Sequence, residues 1–143
     1  MEIKLKKLDE RAIIPTRGSA MAAGMDLYAL DAVTLGAGET VLVHTGIALA
    51  IPEGYAGFIY ARSGLATKRS LAPANKVGVV DADYRGEIMV ALHNHGATAQ
   101  TVDAGERIAQ MIVAPFLSVE FALSEELDET ARADGGFGST GKH

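Results

Sequence analysis

"TVLVHTGIALAIPEG", residues 40–54, decides the fold. Val41 and Val43, then Ile47, Leu49 and Ile51, recur two residues apart. That is the period at which a strand returns its side chains to one face. Pro52-Glu53-Gly54 ends the run with turn chemistry. The same pattern extends in both directions. "EIKLKKL" alternates Ile3 and Leu5 with lysines, as in an edge strand guarded by charge. "YAGFIYA" follows the turn as a further strand. "EIMVALHNHG" sets Ile88, Val90 and Leu92 on one face and Met89 and Ala91 on the other. "RIAQMIVAPF" is apolar on both faces, which suits a strand inside a sandwich or barrel. Only "RSGLATKR" reads as a helix, with Ser63 as its N-cap. The expected fold is all-β: a jelly-roll-like barrel or sandwich with one short helix and a flexible C-terminal arm.

The bulk numbers bound the function. A chain of 143 residues fits one domain, and 48% hydrophobic residues supply a core. The net charge of -5 offers no broad basic face for long nucleic acid, although a local donor cluster can still take a small anion. Without cysteine there is no disulfide, thiolate zinc site or cysteine nucleophile. No apolar run approaches the roughly 18 to 20 residues of a membrane span. No signal-peptide block opens the chain. These features read as a cytoplasmic protein with no membrane partner.

Polar exceptions to the strand pattern lie in five places. In "AAGMDLYAL", Asp26 sits among apolar residues, so its carboxylate needs a partner, water or a cation, or it is a turn aspartate. In "ARSGLA", Arg62, Ser63 and Gly64 stand where a helix begins, which suits a phosphate or a plain cap with a surface arginine. In "ANKVGVVDADYRGEI", an extended chain would point Asp81 and Asp83 to one side, while a hairpin would use them to shape its turn. In "ERIAQMIV", Gln110 lies between Ile108 and Ile112 on an apolar face, as a satisfied core amide or as a ligand contact. In "RADGGFGSTG", Arg132 precedes glycines around Phe137, then Ser139 and Thr140, a composition for a flap whose ring stacks on a flat group. "LSEELDETARAD" before it adds a turn. His93 and His95 end a strand with no third ligand at metal-site spacing, and His44 reads as structural.

Taken together and in order, "AAGMDLYA", "ARSGLA", "ANKVGVVDADYRGEIMVALHN", "ERIAQMIV" and "RADGGFGSTG" resemble the five motifs of the trimeric dUTP pyrophosphatases, the dUTPases. They span residues 22–141, nearly the whole chain. The resemblance implies a β-barrel domain over residues 1–131 and an arm over 132–143 that closes the site of a neighbouring subunit in a homotrimer. It implies hydrolysis of dUTP to dUMP and pyrophosphate with Mg2+, which limits uracil in DNA and supplies dUMP for dTMP synthesis.

It also implies roles, residue by residue. Asp81 activates the water that attacks the α-phosphate. Asp26 reaches Mg2+ through water. Arg62, Ser63, Gly64, Gln110 and Arg132 hold phosphates. A hairpin around Asn75 to Val80, with Gly78 within it, chooses the base; Met89 also binds substrate, and Tyr84 packs on the deoxyribose. Phe137, Gly138, Ser139 and Thr140 close over the nucleotide. Asp83 braces the turn. The rivals are a dCTP deaminase-like enzyme on the same fold and a nucleotide-binding regulator without catalysis.

Overall fold

The computed structural model describes residues 1–136; Phe137, Gly138, Ser139 and Thr140 lie outside the described residues. In chain order the elements are β1 (Lys4–Lys7), β2 (Met25–Tyr28), β3 (Val33–Leu35), β4 (Thr40–Ala50), β5 (Tyr55–Tyr60), α1 (Ser63–Arg69), β6 (Leu71–Pro73), β7 (Gly78–Val80), β8 (Glu87–Asn94), β9 (Gln100–Val102) and β10 (Arg107–Pro115). Two four-stranded antiparallel sheets, ordered β1-β4-β8-β6 and β2-β10-β5-β7, are accompanied by the β3-β9 pair. The inward residues make one core. Val43, Ile47, Leu49, Ile88, Val90 and Leu92 come from the first sheet, and Leu27, Ile59, Ala109 and Met111 from the second. The fold is the expected jelly-roll-like all-β sandwich, with β1 at a sheet edge as its lysines required.

Strand alternation holds where the ladder is regular and fails where it bulges. Along β8, Ile88, Val90 and Leu92 are buried and Met89 and Ala91 are not, as the period-two pattern demands. Along β4 the burial turns continuous from Thr45 to Leu49. The cause is a register shift: His44 pairs with Met89, but the next pair is Ala48 with Glu87. Three residues of β4 therefore face one of β8, and the chain bends inward there. Gly46 occupies the bulge at φ +71, and a Cβ there would meet the Ala12 Cβ at 2.9 Å. A second shift, between Arg107 and Ala109, turns Ile108 into the core beside Ala109. Ile108 therefore does not share a face with Gln110, as simple alternation along β10 expects.

Two local expectations are corrected. Ser63 is not the N-cap: Arg62 is, with extended φ -94 and ψ 130, and no side chain caps the helix. Ser63 is already helical, and its carbonyl accepts from Thr67 Oγ1 at 2.7 Å. Residues 75–80 are not a hairpin either. β6 pairs with β8 in one sheet and β7 with β5 in the other, so the segment between them crosses the sandwich. The turn at 131–134, where Ala133 N–H donates to the Thr130 carbonyl at 3.1 Å, is where the acidic stretch was expected to place one.

Gly46→Ala combines left-handed backbone strain with overpacking against Ala12 and Leu30. It should lower the unfolding free energy by about 2–4 kcal/mol, read as a lower urea midpoint at unchanged slope.

Candidate active site

The residues singled out in the sequence gather at two places on the chain. The first is the end of the β2-β10-β5 ladder, where Asp26, Gln110 and Tyr60 are register partners in one row. Register partners point to the same side, and Ala109 and Met111 between them face the core, so Asp26 and Gln110 face outward. Arg62 follows the end of β5 after Ala61. Its Nε donates to Asp26 Oδ1 at 2.8 Å, with the two side chains 23% and 14% exposed. Arg107, at the start of β10, donates through Nη1 to Asp26 Oδ2 at 3.4 Å. Gln110 Nε2 donates to the Ala61 carbonyl at 2.9 Å, tying the strand to the segment that carries Arg62. One carboxylate between two guanidinium groups leaves this cluster with a net positive charge. Ser63 and Gly64 are exposed beside it. No side chain caps the helix, so the Ser63 hydroxyl is not spent on a cap and is open to an anion.

The second place is a cavity of about 240 Å³ lined by Asn75, Gly78, Val80, Asp81, Tyr84 and Met89. The pairing of β7 with β5 fixes its back wall, and Asp81 is the first residue past β7. Residues 81–84 form a turn, closed by Tyr84 N–H donating to the Asp81 carbonyl at 3.2 Å. The extended reading that put Asp81 and Asp83 on one side is therefore corrected; both are exposed on a turn. Tyr84 Oη donates to the Glu87 carbonyl at 2.9 Å, which lays its ring along the cavity mouth.

The chain does not bring these two groups together. Val80 pairs with Gly57, whereas Gln110 pairs with Tyr60. Asp81 thus lies about four residues along and two strands across from the Gln110 row, roughly 16 Å at ordinary strand spacings. That span is longer than a triphosphate. Arg132 joins neither group: its Nε donates to the Gly135 carbonyl at 2.7 Å, within its own turn. Among the described residues no three His, Cys, Asp or Glu side chains assemble as a metal site. His93 and His95 lie edge to face at 4.3 Å, and desolvation, then the His93 and Lys76 charges, lower the His95 pKa. Among the described residues no helix is long and apolar enough to cross a membrane.

Three residues at these places carry no role in the sequence reading. Arg107 stands in the quoted "ERIAQMIV", where a charge opening an apolar strand is the signal for it. Glu87 lines the cavity from the first residue of β8. Leu42 lines it from the outward face of β4 and is 51% exposed. Its position between Val41 and Val43 marks it as an outward apolar residue.

Comparison with known proteins bears on the family and the fold. The dUTPase family model matches residues 10–141. The chain is 47% identical over 142 residues to the deoxyuridine 5'-triphosphate nucleotidohydrolase of Hydrogenobaculum sp. strain Y04AAS1, covering 99% of each. Its fold is similar to the Staphylococcus bacteriophage 80alpha dUTPase solved with dUPNHPP, with a TM-score of 0.91, 27% identity and 98% of each chain covered. It is also similar to a mutant dUTPase from phage phi11 of S. aureus that coordinates a structural Mg(II) ion. There the TM-score is 0.82, the identity 25%, and the coverage 88% of this chain and 98% of that one.

Proposed function

The chain belongs to the dUTPase family, and on that premise we propose that it hydrolyses dUTP to dUMP and pyrophosphate at sites shared between the subunits of a homotrimer. The observation that carries the reading is the split of the site residues. Asp81, Asn75 and Tyr84 line one cavity, while Gln110 stands roughly 16 Å from Asp81 along the backbone ladder and ties down the segment that carries Arg62. A base and a phosphate clamp on one chain at that separation cannot serve one α-phosphorus. The cavity of one subunit set against the cationic row of the next can.

A second feature supports assembly. Leu117, Val119, Phe121 and Leu123 are 87%, 62%, 97% and 104% exposed, an apolar row at strand period with no sheet beneath it. Its complement is an apolar groove of about 400 Å³ lined by Ile3, Leu5, Met25, Leu49 and Val113. A neighbouring copy filling that groove would leave residues 132–143 beside another subunit's site.

In the shared site Asp81 takes the proton of the water that attacks the α-phosphorus, and pyrophosphate leaves. A positioned general base contributes roughly 10²- to 10⁴-fold. Arg62, Ser63, Gly64 and Gln110 hold the phosphates from the cationic row, and Arg132 adds a guanidinium from the arm. Asp26 already faces two guanidinium groups, so it fits a water-mediated contact to Mg2+ and not a direct one. The bound ion neutralises triphosphate charge. The crossing segment from Asn75 to Val80 reads uracil with backbone groups, with Met89 beneath. Its ends are pinned in different sheets, so those groups cannot rotate to accept the reversed pattern of cytosine. Tyr84 packs on the deoxyribose and refuses a 2′-hydroxyl. Phe137 stacks on the base, while Gly138, Ser139 and Thr140 complete the lid. The enzyme would act on free nucleotides in the cytoplasm, limiting uracil in DNA and supplying dUMP for dTMP synthesis.

Asp81→Asn should bind nucleotide and lose turnover, and Arg62→Ala should lose phosphate binding. Mixed by unfolding and refolding, the two inactive proteins should regain pyrophosphate release at about a quarter of the sites, those combining the two intact halves. No recovery in verified mixed trimers would place the whole site on one chain; near-normal turnover by Asp81→Asn alone would remove it as the base. Deleting residues 132–143 should leave the assembly intact by sedimentation and lower dUTP turnover by orders of magnitude. Full activity of the truncated protein would contradict the lid.

A further inference from the structure

We propose that Glu87 is a positioning residue for sugar selection. Its carboxylate locks the β4 bulge, and its backbone carbonyl thereby holds Tyr84 in the gating position. The inference rests on the reading of Tyr84 as the sugar gate.

The bulge creates the need. Where three residues of β4 face Ile88 alone, the Gly46 N–H has no carbonyl opposite it in the ladder. Glu87 supplies the missing acceptor: Oε1 takes the Gly46 N–H at 2.8 Å, and Oε2 meets His44 Nδ1 at 2.8 Å. One carboxylate thus clasps both sides of the bulge. It is 21% exposed, so these charge-assisted contacts are only partly screened. From the other side, Thr45 Oγ1 donates to the Ile88 carbonyl. The first two residues of β8 are thus held from two directions, Glu87 through its side chain and Ile88 through its carbonyl.

The carbonyl of Glu87 is what Tyr84 Oη binds, at 2.9 Å. The tyrosine ring lies across Gly86, where a Cβ would meet ring atom Cε2 at 2.9 Å. The ring therefore has a floor at Gly86 and an anchor at Glu87. A gate that refuses one hydroxyl works only if the wall cannot yield by the width of an oxygen atom. If the first residue of β8 loosens, the anchor moves, and Tyr84 can lean away from a ribose. Glu87 touches no reacting atom in this scheme, so its effect should fall on which sugar is admitted more than on the chemical step.

The test is pyrophosphate release from dUTP and UTP by wild type, Glu87→Ala, Tyr84→Phe and the double variant, with Glu87→Gln beside them. Both single changes should lower the dUTP-over-UTP ratio of kcat/KM by roughly 3- to 10-fold, chiefly by lowering KM for UTP. The double variant should lose no more than the worse single, because both act through one hydrogen bond. Glu87→Gln keeps an acceptor for the Gly46 N–H and should recover most of the ratio. It also carries the cycle with Tyr84→Phe if Glu87→Ala does not fold. An unchanged ratio in a folded Glu87 variant, or losses that multiply in the double, overturns the proposal. Tyr84→Ala separates the two levels. If it leaves the ratio intact, the sugar-gate reading itself fails. If it destroys the ratio while Glu87 variants do not, only the role of Glu87 falls.

Discussion

The antiparallel pairing of β4 with β8 is the constraint from which the rest of the molecule follows. These are the long strands of the first sheet, and β1 and β6 add to their outer edges. Their inward rows, from Val43 to Leu49 and from Ile88 to Leu92, form one wall of the core. Burying such rows is what makes the sandwich stable, at about 25 cal/mol per Å² of apolar surface. The pairing cannot run regularly from end to end, because β4 carries two more residues than its partner across the bulge. That mismatch sets the bend at Gly46. It puts Glu87 under the bulge and aims the turn from Asp81 to Glu87 at the cavity. A packing requirement of the core thus bears on the geometry of the cavity that Asp81 and Tyr84 line.

The second sheet does the corresponding work for the cationic row. Asp26, Gln110 and Tyr60 stand abreast because three strands share one register. Their outward direction follows from the burial of Ala109 and Met111 on the other face. Arg62 is added by the chain leaving β5, and the glutamine ties that segment down through Ala61. A rigid sheet holds such a row well, but it also holds it away from Asp81. Strand spacings are not adjustable, so no small movement of one chain joins the two groups. Under the proposed homotrimer, apposition of two copies would join them without distortion. It also places an enzyme's activity under the control of its own assembly.

Much of this was legible in the sequence, for a physical reason. Period two exposes a strand directly, so β1, β4, β5, β8 and β10 could be read from their apolar rows. The five polar segments were legible because a charged or amide residue among apolar ones must find a partner; Asp26 and Gln110 do. What alternation could not show was decided by partners distant in the chain. The burial of Ile108 comes from a bulge set against β2, and the inward turn at Thr45 and Gly46 from β8. Residues 75–80 read as a hairpin because turn residues lie between two short strands, yet each strand found a better edge in a different sheet. Ser63 lost the cap position because Arg62 was already extended by its place after β5. The row from Leu117 to Leu123 has strand period but no partner strand among the described residues, so alternation alone gives it no place in the fold.

The charges make the last step. The whole chain carries -5, yet its proposed substrate is a polyanion. Long-range attraction therefore cannot assemble the complex; at ordinary ionic strength it is screened beyond about 10 Å in any case. Local charge must do it. Arg62 and Arg107 against Asp26 leave one net positive charge in the row, too little to hold a triphosphate unaided. On the proposed reading, the rest would come from Ser63 and Gly64, which are exposed beside the row, from a bound metal ion and from Arg132 of the arm. A site kept weakly positive when empty spares the folded domain the cost of crowded like charges. It also makes firm binding conditional on closure. The single aromatic of "RADGGFGSTG" fits the same logic on the lid reading, in which Phe137 would gain its stacking contact when a flat base is bound.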